Sequence, residues 1–181
     1  MFARQERTGR RMASRKAPPI EQLLGQLLNG LGRTLATAES CSGGLIAHRV
    51  TNIPGASGYF LGGVVAYSNK AKVQLLRVPK AELAAYGAVS EQVARHKAEG
   101  VRRRFGADYG IGVTGIAGPQ GGTPEKPVGL VYIAVASAEA TAVLRNQFHG
   151  TRSAIKEETA ERALKMLLEV LKRHETGDFG F

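Results

Sequence analysis

Arg33-Thr34-Leu35-Ala36-Thr37-Ala38-Glu39-Ser40-Cys41-Ser42-Gly43-Gly44-Leu45-Ile46-Ala47-His48-Arg49-Val50 is the stretch that decides the fold. Residues 33–37 read as a short β-strand and Leu45 to Val50 as a helix. The hydroxyls, thiol and two glycines between them form a strand-to-helix turn with little side-chain bulk. Such a turn offers backbone N–H groups at a helix N-terminus, where partial positive charge favours an anion or a developing oxyanion. Ser40 and Ser42 are candidate nucleophiles there, and Cys41 is a third. The plainer alternative is that Ser40 or Ser42 only caps the helix.

On the N-terminal side, Ile20, Leu23, Leu24, Leu27, Leu28 and Leu31 follow helical spacing between Pro19 and Gly32, so a helix precedes the strand. On the C-terminal side, Leu61 to Tyr67 reads as a buried strand, with Gly62 and Gly63 marking close approach of another backbone. Ser68 or Asn69 caps a short helix carrying Lys72, and a second short helix carries Leu83 and Tyr86. Ser90 caps a longer helix whose inward face is Val93, Ala94, Val101 and Phe105. Asp108 to Thr114 is a strand that runs into a Gly- and Pro-rich loop, Gly115 to Pro127, with no helix after it. Val128–Ser137 and Thr141–Phe148 form an antiparallel hairpin. The last helix presents Ile155, Ala160, Ala163, Leu164, Leu167, Leu168 and Leu171, with Arg152 in its first turn. Strands alternating with helices predict an α/β fold, a three-layer α/β/α sandwich around a mixed, mostly parallel sheet of about five strands. In such sheets ligands sit at the carboxyl ends of the strands. That rule gathers Ser40, the segment from Tyr67 to Lys72, and Thr114-Gly115 at one edge.

Composition bounds the rest. A length of 181 residues and 43% hydrophobic residues suit one domain over residues 19–174. No apolar run approaches the ~20 residues of a membrane span, and a lone cysteine excludes an internal disulfide or a Cys-rich zinc site. A soluble cytoplasmic protein is expected. The net charge of +10 raises nucleic acid as a partner, but half of it resides in the first nineteen residues. There Arg4, Arg7, Arg10, Arg11, Arg15 and Lys16 face only Glu6. Residues 1–18 read as a basic, disordered tail and 175–181 as a frayed end. Aromatic residues are too few for a base-stacking platform, which leaves at most weak nucleic-acid contact through the tail.

Several motifs fail on context. Gly110-x-Gly112-x-x-Gly115 spells the dinucleotide pattern but lies inside a strand with no helix after it. Ser153-x-x-Lys156 lacks the companion elements of penicillin-recognising enzymes. The four histidines are scattered. His48 and His149 are weak candidates near the site, His96 and His174 read as solvated, and none has metal-ligand spacing. A serine without a histidine base needs another partner, and Lys72 is the candidate. Burial or a neighbouring cation lowers a lysine toward neutrality. Its plainer reading is a snorkelling surface lysine.

Thr37-Ala-Glu-Ser-Cys-Ser-Gly-Gly44, Gly63-Val-Val-Ala-Tyr-Ser-Asn-Lys-Ala-Lys72, Gly87-Ala-Val-Ser90, Val113-Thr-Gly-Ile-Ala-Gly-Pro119, Gly122-Thr-Pro-Glu-Lys-Pro-Val-Gly129 and Phe148-His-Gly-Thr-Arg152 together resemble the CinA C-terminal domain, the nicotinamide-nucleotide amidase (PncC) family, over roughly residues 20–172. The resemblance implies hydrolysis of the carboxamide of nicotinamide mononucleotide, a homodimer, and neither a metal nor an organic cofactor. It places the nucleophile on Ser40 and its base on Lys72, with Tyr67 beside them. It assigns Ser42, Gly43, Gly44, Asn69, Thr114, Gly115, Ala117, Gly118 and Arg152 to the substrate. Two positions depart from the pattern. Gln120 stands where Gly or an acidic residue is familiar, and Lys156 stands where Arg is frequent, which weakens a bidentate role there. The competing readings are a non-catalytic nucleotide-binding module linked to competence or DNA damage, and Cys41 as the nucleophile.

Overall fold

The structure, a computed structural model, describes residues 17–176. Nearly all of the basic tail and most of the expected frayed end lie outside the described residues. The elements run α1 (Ile20–Leu31), β1 (Leu35–Glu39), α2 (Leu45–Thr51), a 3-10 turn (Ala56–Gly58), β2 (Phe60–Val65), α3 (Asn69–Leu76), α4 (Lys80–Tyr86), α5 (Glu91–Phe105), β3 (Tyr109–Gly115), β4 (Leu130–Ala136), β5 (Thr141–Gln147) and α6 (Arg152–Thr176). The sequence places every one of these helices and strands. β1 begins two residues later than expected and carries Glu39 at its end. α6 continues through Thr176, past the point where fraying was expected.

The sheet order is β2-β1-β3-β4-β5. β1 pairs in parallel with β2 and β3, while β3–β4 and β4–β5 are antiparallel. The sheet is therefore mixed in equal parts rather than mostly parallel. The cause is local. A parallel return needs a crossover, usually a helix, and residues 116–129 contain none. The chain comes straight back along β3.

The two faces of the sheet differ in bulk. Leu35, Ile111, Val113, Val131, Ile133 and Val135 point to one side, where α1, α2 and α6 cover them with Leu24, Leu28, Ile46, Val50, Ile155, Leu164 and Leu167. Ala36, Ala38, Ala134 and Ala136 point to the other, under α5 and its residues Val93, Ala94, Ala98 and Val101. Gly110 and Gly112 complete that face. A Cβ at Gly112 would strike the Ala94 carbonyl and the Ala98 amide, and one at Gly110 the Ala98 carbonyl. The helix backbone rests directly on β3. These glycines serve the packing of α5 on β3.

β2 is an edge strand, not a buried one. Its burial alternates, with Leu61 and Val65 exposed. A Cβ at Gly62 would meet the Phe105 ring at 2.6 Å and one at Gly63 the Thr37 hydroxyl. Phe105, expected to face the core, is partly buried there. Ser68, rather than Asn69, caps α3, accepting a hydrogen bond from the Ala71 amide at 3.1 Å. Ser90 caps α5 through the Val93 amide.

Candidate active site

Because β1, β2 and β3 run parallel, their carboxyl ends open on one edge of the sheet, and a cavity of about 270 Å³ lies there. Ser40, just past β1, forms part of its wall. Tyr67, Asn69 and Lys72 come from the β2–α3 connection, and Thr114, Gly115, Ala117 and Gly118 from the end of β3. Arg152 reaches in from the start of α6. Nine of the twelve residues expected at the site thus converge. Cys41, Ala88, Val89, Ile116, Gln120 and Gly121 line it as well. Ala88, Val89 and Ile116 lie inside the quoted motifs without having been assigned a role, and Gly121 lies in the Gly- and Pro-rich loop.

Polar contacts fix the wall. Arg152 Nη1 donates to the Gly118 carbonyl at 2.7 Å and Nη2 to the Tyr67 hydroxyl at 2.9 Å, joining the β3 loop to the β2–α3 connection. Thr114 Oγ1 donates to the Ala88 carbonyl at 2.6 Å, tying β3 to the segment before α5. Lys72 is 2% exposed, and its Nζ donates to the Tyr67 carbonyl at 3.0 Å. It is not a snorkelling lysine. Among the described residues no ion pair involves it, and burial lowers its pKa from the ordinary lysine value. A buried amine without a carboxylate partner is what a lysine base requires.

The turn itself differs from expectation in one decisive respect. The amides at the start of α2 are occupied by the chain's own acid. The buried carboxylate of Glu39 accepts from the amides of Gly44 at 2.9 Å, Ile46 at 3.1 Å and Ala47 at 2.8 Å. Gly44, with φ 93°, is the N-cap residue, and neither Ser40 nor Ser42 caps the helix. The helix N-terminus is therefore closed to an outside anion. Ser42, Gly43 and Gly44, expected at the substrate, do not line the cavity. The Ser42 hydroxyl is buried without a hydrogen-bond partner, and Gly43 faces the Lys156 side chain. The Cys41 thiol is pushed up by burial, against Lys97 and the amides of Cys41 and Ser42. That leaves it protonated and poorly nucleophilic.

Two residues near the site were not singled out from the sequence. Glu39 is the one charge in a strand otherwise made of Leu, Ala and Thr, all buried. Lys97 lies on α5 between Ala94 and Val101, on the inward face, and is 0% exposed. In both cases a charge at an apolar position of the pattern was the available signal. The histidines stay outside the cavity. His48 contacts Asn52, His96 lies 4.0 Å from Glu82, and His174 is bonded to the Tyr109 hydroxyl at 2.9 Å rather than solvated. Among the described residues no group of three or more His, Cys, Asp or Glu is placed to hold a metal ion. Among the described residues no helix is long and apolar enough to cross a membrane.

A serine on a strand-to-helix turn, a buried lysine and an arginine surround one small cavity at the carboxyl edge of the α/β sheet, the place where such sheets commonly bind ligands. Residues 17–171 match the family model described as CinA C-terminal domain, and the chain belongs to that family. It is 51% identical over 160 residues to a CinA-like protein of Desulfovibrio desulfuricans, covering 87% of this chain and 37% of that protein. It is 48% identical over 153 residues to a CinA-like protein of Anaeromyxobacter dehalogenans, covering 84% and 38%. The chain thus spans under two fifths of the length of these curated relatives. Among solved structures it is similar to the competence/damage inducible protein CihA from Agrobacterium tumefaciens, with TM-score 0.82, 38% identity, and 83% and 93% of the two chains covered. A CinA superfamily protein from Escherichia coli gives TM-score 0.81 at 32% identity, covering 83% and 88%.

Proposed function

We propose that this protein is an amidohydrolase that converts nicotinamide mononucleotide to nicotinate mononucleotide and ammonia. The observation that carries the reading is Lys72, buried without a carboxylate partner on the wall that also holds Ser40. Ser40 Oγ attacks the carboxamide carbon as Lys72 takes its proton, giving a tetrahedral oxyanion. Lys72 returns that proton to the departing nitrogen, which leaves as ammonia. Water, deprotonated by the same amine, then releases the carboxylate and restores the serine. With the α2 amides engaged by Glu39, the oxyanion needs donors other than those at the helix start. Loss of such a donor typically costs about 2.7–4 kcal/mol. Arg152 is the group suited to the phosphate, by a bidentate pair.

A cytoplasmic location fits a chain whose lone cysteine is buried and reduced. A homodimer belongs to the same reading, and the β2 edge with exposed Leu61 and Val65 is a surface that supports it. The alternative of a non-catalytic nucleotide-binding module uses Arg152 and the glycine loop but has no need of a buried, unpaired Lys72 beside Ser40.

The test is ammonia release from nicotinamide mononucleotide. Ser40→Ala should lose turnover by about 10³-fold or more, and Cys41→Ala should keep it. Wild type that binds the nucleotide without releasing ammonia would favour the binding module.

A further inference from the structure

Glu39 belongs to the sheet through its backbone and to α2 through its side chain. Its Cα pairs with Val65 of β2, and its carbonyl accepts from the Ala66 amide at 3.0 Å. Its carboxylate, 1% exposed, takes the amides of Gly44 and Ile46 on Oε2 and that of Ala47 on Oε1. One residue therefore fastens both ends of the turn that carries Ser40.

Little else holds that turn. Within it, the Gly43 amide donates to the Ser40 carbonyl at 3.0 Å and the Leu45 amide to the Ser42 carbonyl at 3.4 Å. Among the described residues no side chain other than that of Glu39 hydrogen-bonds to residues 40–44, and the Ser40 hydroxyl has no hydrogen bond of its own. The Ser42 hydroxyl is buried without a partner, and Gly43 and Gly44, at φ 67° and 93°, have no side chains to pack. A serine whose hydroxyl is not held takes its position from its backbone, and a displacement of about 1 Å can cost roughly 10²-fold in rate.

We propose that Glu39 is the positioning residue for Ser40. Its carboxylate fixes the distance between the end of β1 and the start of α2, and that distance sets where the intervening serine stands. The inference rests on the reading of Ser40 as nucleophile. A residue that only capped α2 would contribute stability and nothing to rate.

The experiment compares wild type, Glu39→Gln, Glu39→Asp and Val50→Ala at a temperature where each is fully folded by circular dichroism. Glu39→Gln keeps the shape but turns one acceptor into a donor that faces an N–H. Glu39→Asp keeps the carboxylate near the helix start and shortens its reach by one methylene. Val50→Ala loosens α2 in the core, away from the turn. For ammonia release from nicotinamide mononucleotide, kcat should fall about 10²-fold in Glu39→Gln with KM little changed. It should fall roughly tenfold in Glu39→Asp, although that variant melts above Glu39→Gln because its charge still meets the helix start. Val50→Ala should melt below wild type and keep wild-type kcat. Labelling by a fluorophosphonate, in which Ser40 Oγ bonds to phosphorus, fluoride leaves and Lys72 takes the serine proton, should follow the same order of rates.

Glu39 variants that melt lower but keep wild-type kcat and labelling rate overturn the proposal, as does a Val50→Ala enzyme slowed as much as Glu39→Gln. If Glu39→Gln does not fold, Glu39→Asp decides by the same criterion. Wild type that is labelled but releases no ammonia overturns the amidase reading alone, and the order of labelling rates then decides this one. Wild type that is not labelled at all overturns both.

Discussion

The two faces of the sheet divide the work between bulk and closeness. Under α1, α2 and α6 the strands present Leu, Ile and Val, and the buried residues there form one continuous apolar core. Under α5 they present Ala and Gly, and the helix backbone rests on β3. The first face stabilises by removing large side chains from water. The second buries less apolar surface but brings a helix near enough to place Lys97 behind the cavity wall and to anchor that wall through Thr114 and Ala88. The buried amines Lys72 and Lys97 accordingly lie on the α3 and α5 side, where the sheet is thin.

Substitutions that exchange the characters of the faces are the way to break this comparison. Gly112→Val should do most harm. Its branched side chain meets the α5 backbone at Ala94 and Ala98, and the loss should exceed about 3 kcal/mol, visible as little soluble folded protein or a collapsed melting transition. Ile133→Ala, on the bulky face, should cost about 2–5 kcal/mol in urea unfolding through the cavity it leaves. Its neighbour on the opposite face should be sensitive to the opposite change in volume. Ala134→Val adds volume under α5 and should cost about 1–3 kcal/mol by overpacking. If Ala134→Val were instead stabilising, the close contact with α5 would be looser than described. Ser90→Ala sharpens the picture at the low end. It removes the cap of α5, worth about 1 kcal/mol, together with the hydrogen bond that the Ser90 hydroxyl donates to the Gly87 carbonyl at 3.0 Å, and should lower stability while leaving the nucleotide affinity unchanged.

Much of this was legible in the sequence because it is set locally. Helical spacing gave α1 and α6 with their inward faces, and capping serines and terminal glycines gave α3 and α5. The turn chemistry after β1 pointed to Ser40, and the strand-end rule gathered Ser40, Lys72 and Thr114. What was not legible has several causes. The alternation within β2 shows only once the strand is known to lie at the edge. The direction of β4 follows from a loop that lacks a helix, a feature visible in the sequence but outweighed by the general expectation for alternating elements. Glu39 was in view as part of the serine turn, yet its role as the acceptor for α2 depends on the chain folding back by only five to eight residues. Lys97 was hidden by its type, since a lysine on an amphipathic helix is ordinarily assigned to the solvent side. Its helical register alone marked it as inward.

The central claim is that Ser40 and Lys72 act as one unit. It is tested most directly by measuring kcat/KM for nicotinamide mononucleotide in Ser40→Ala, Lys72→Met and the double variant. Groups that share one proton transfer are strongly non-additive, so the account predicts that the double variant is no slower than the slower single variant. Losses that multiply, or a Lys72→Met enzyme with wild-type turnover, would contradict it.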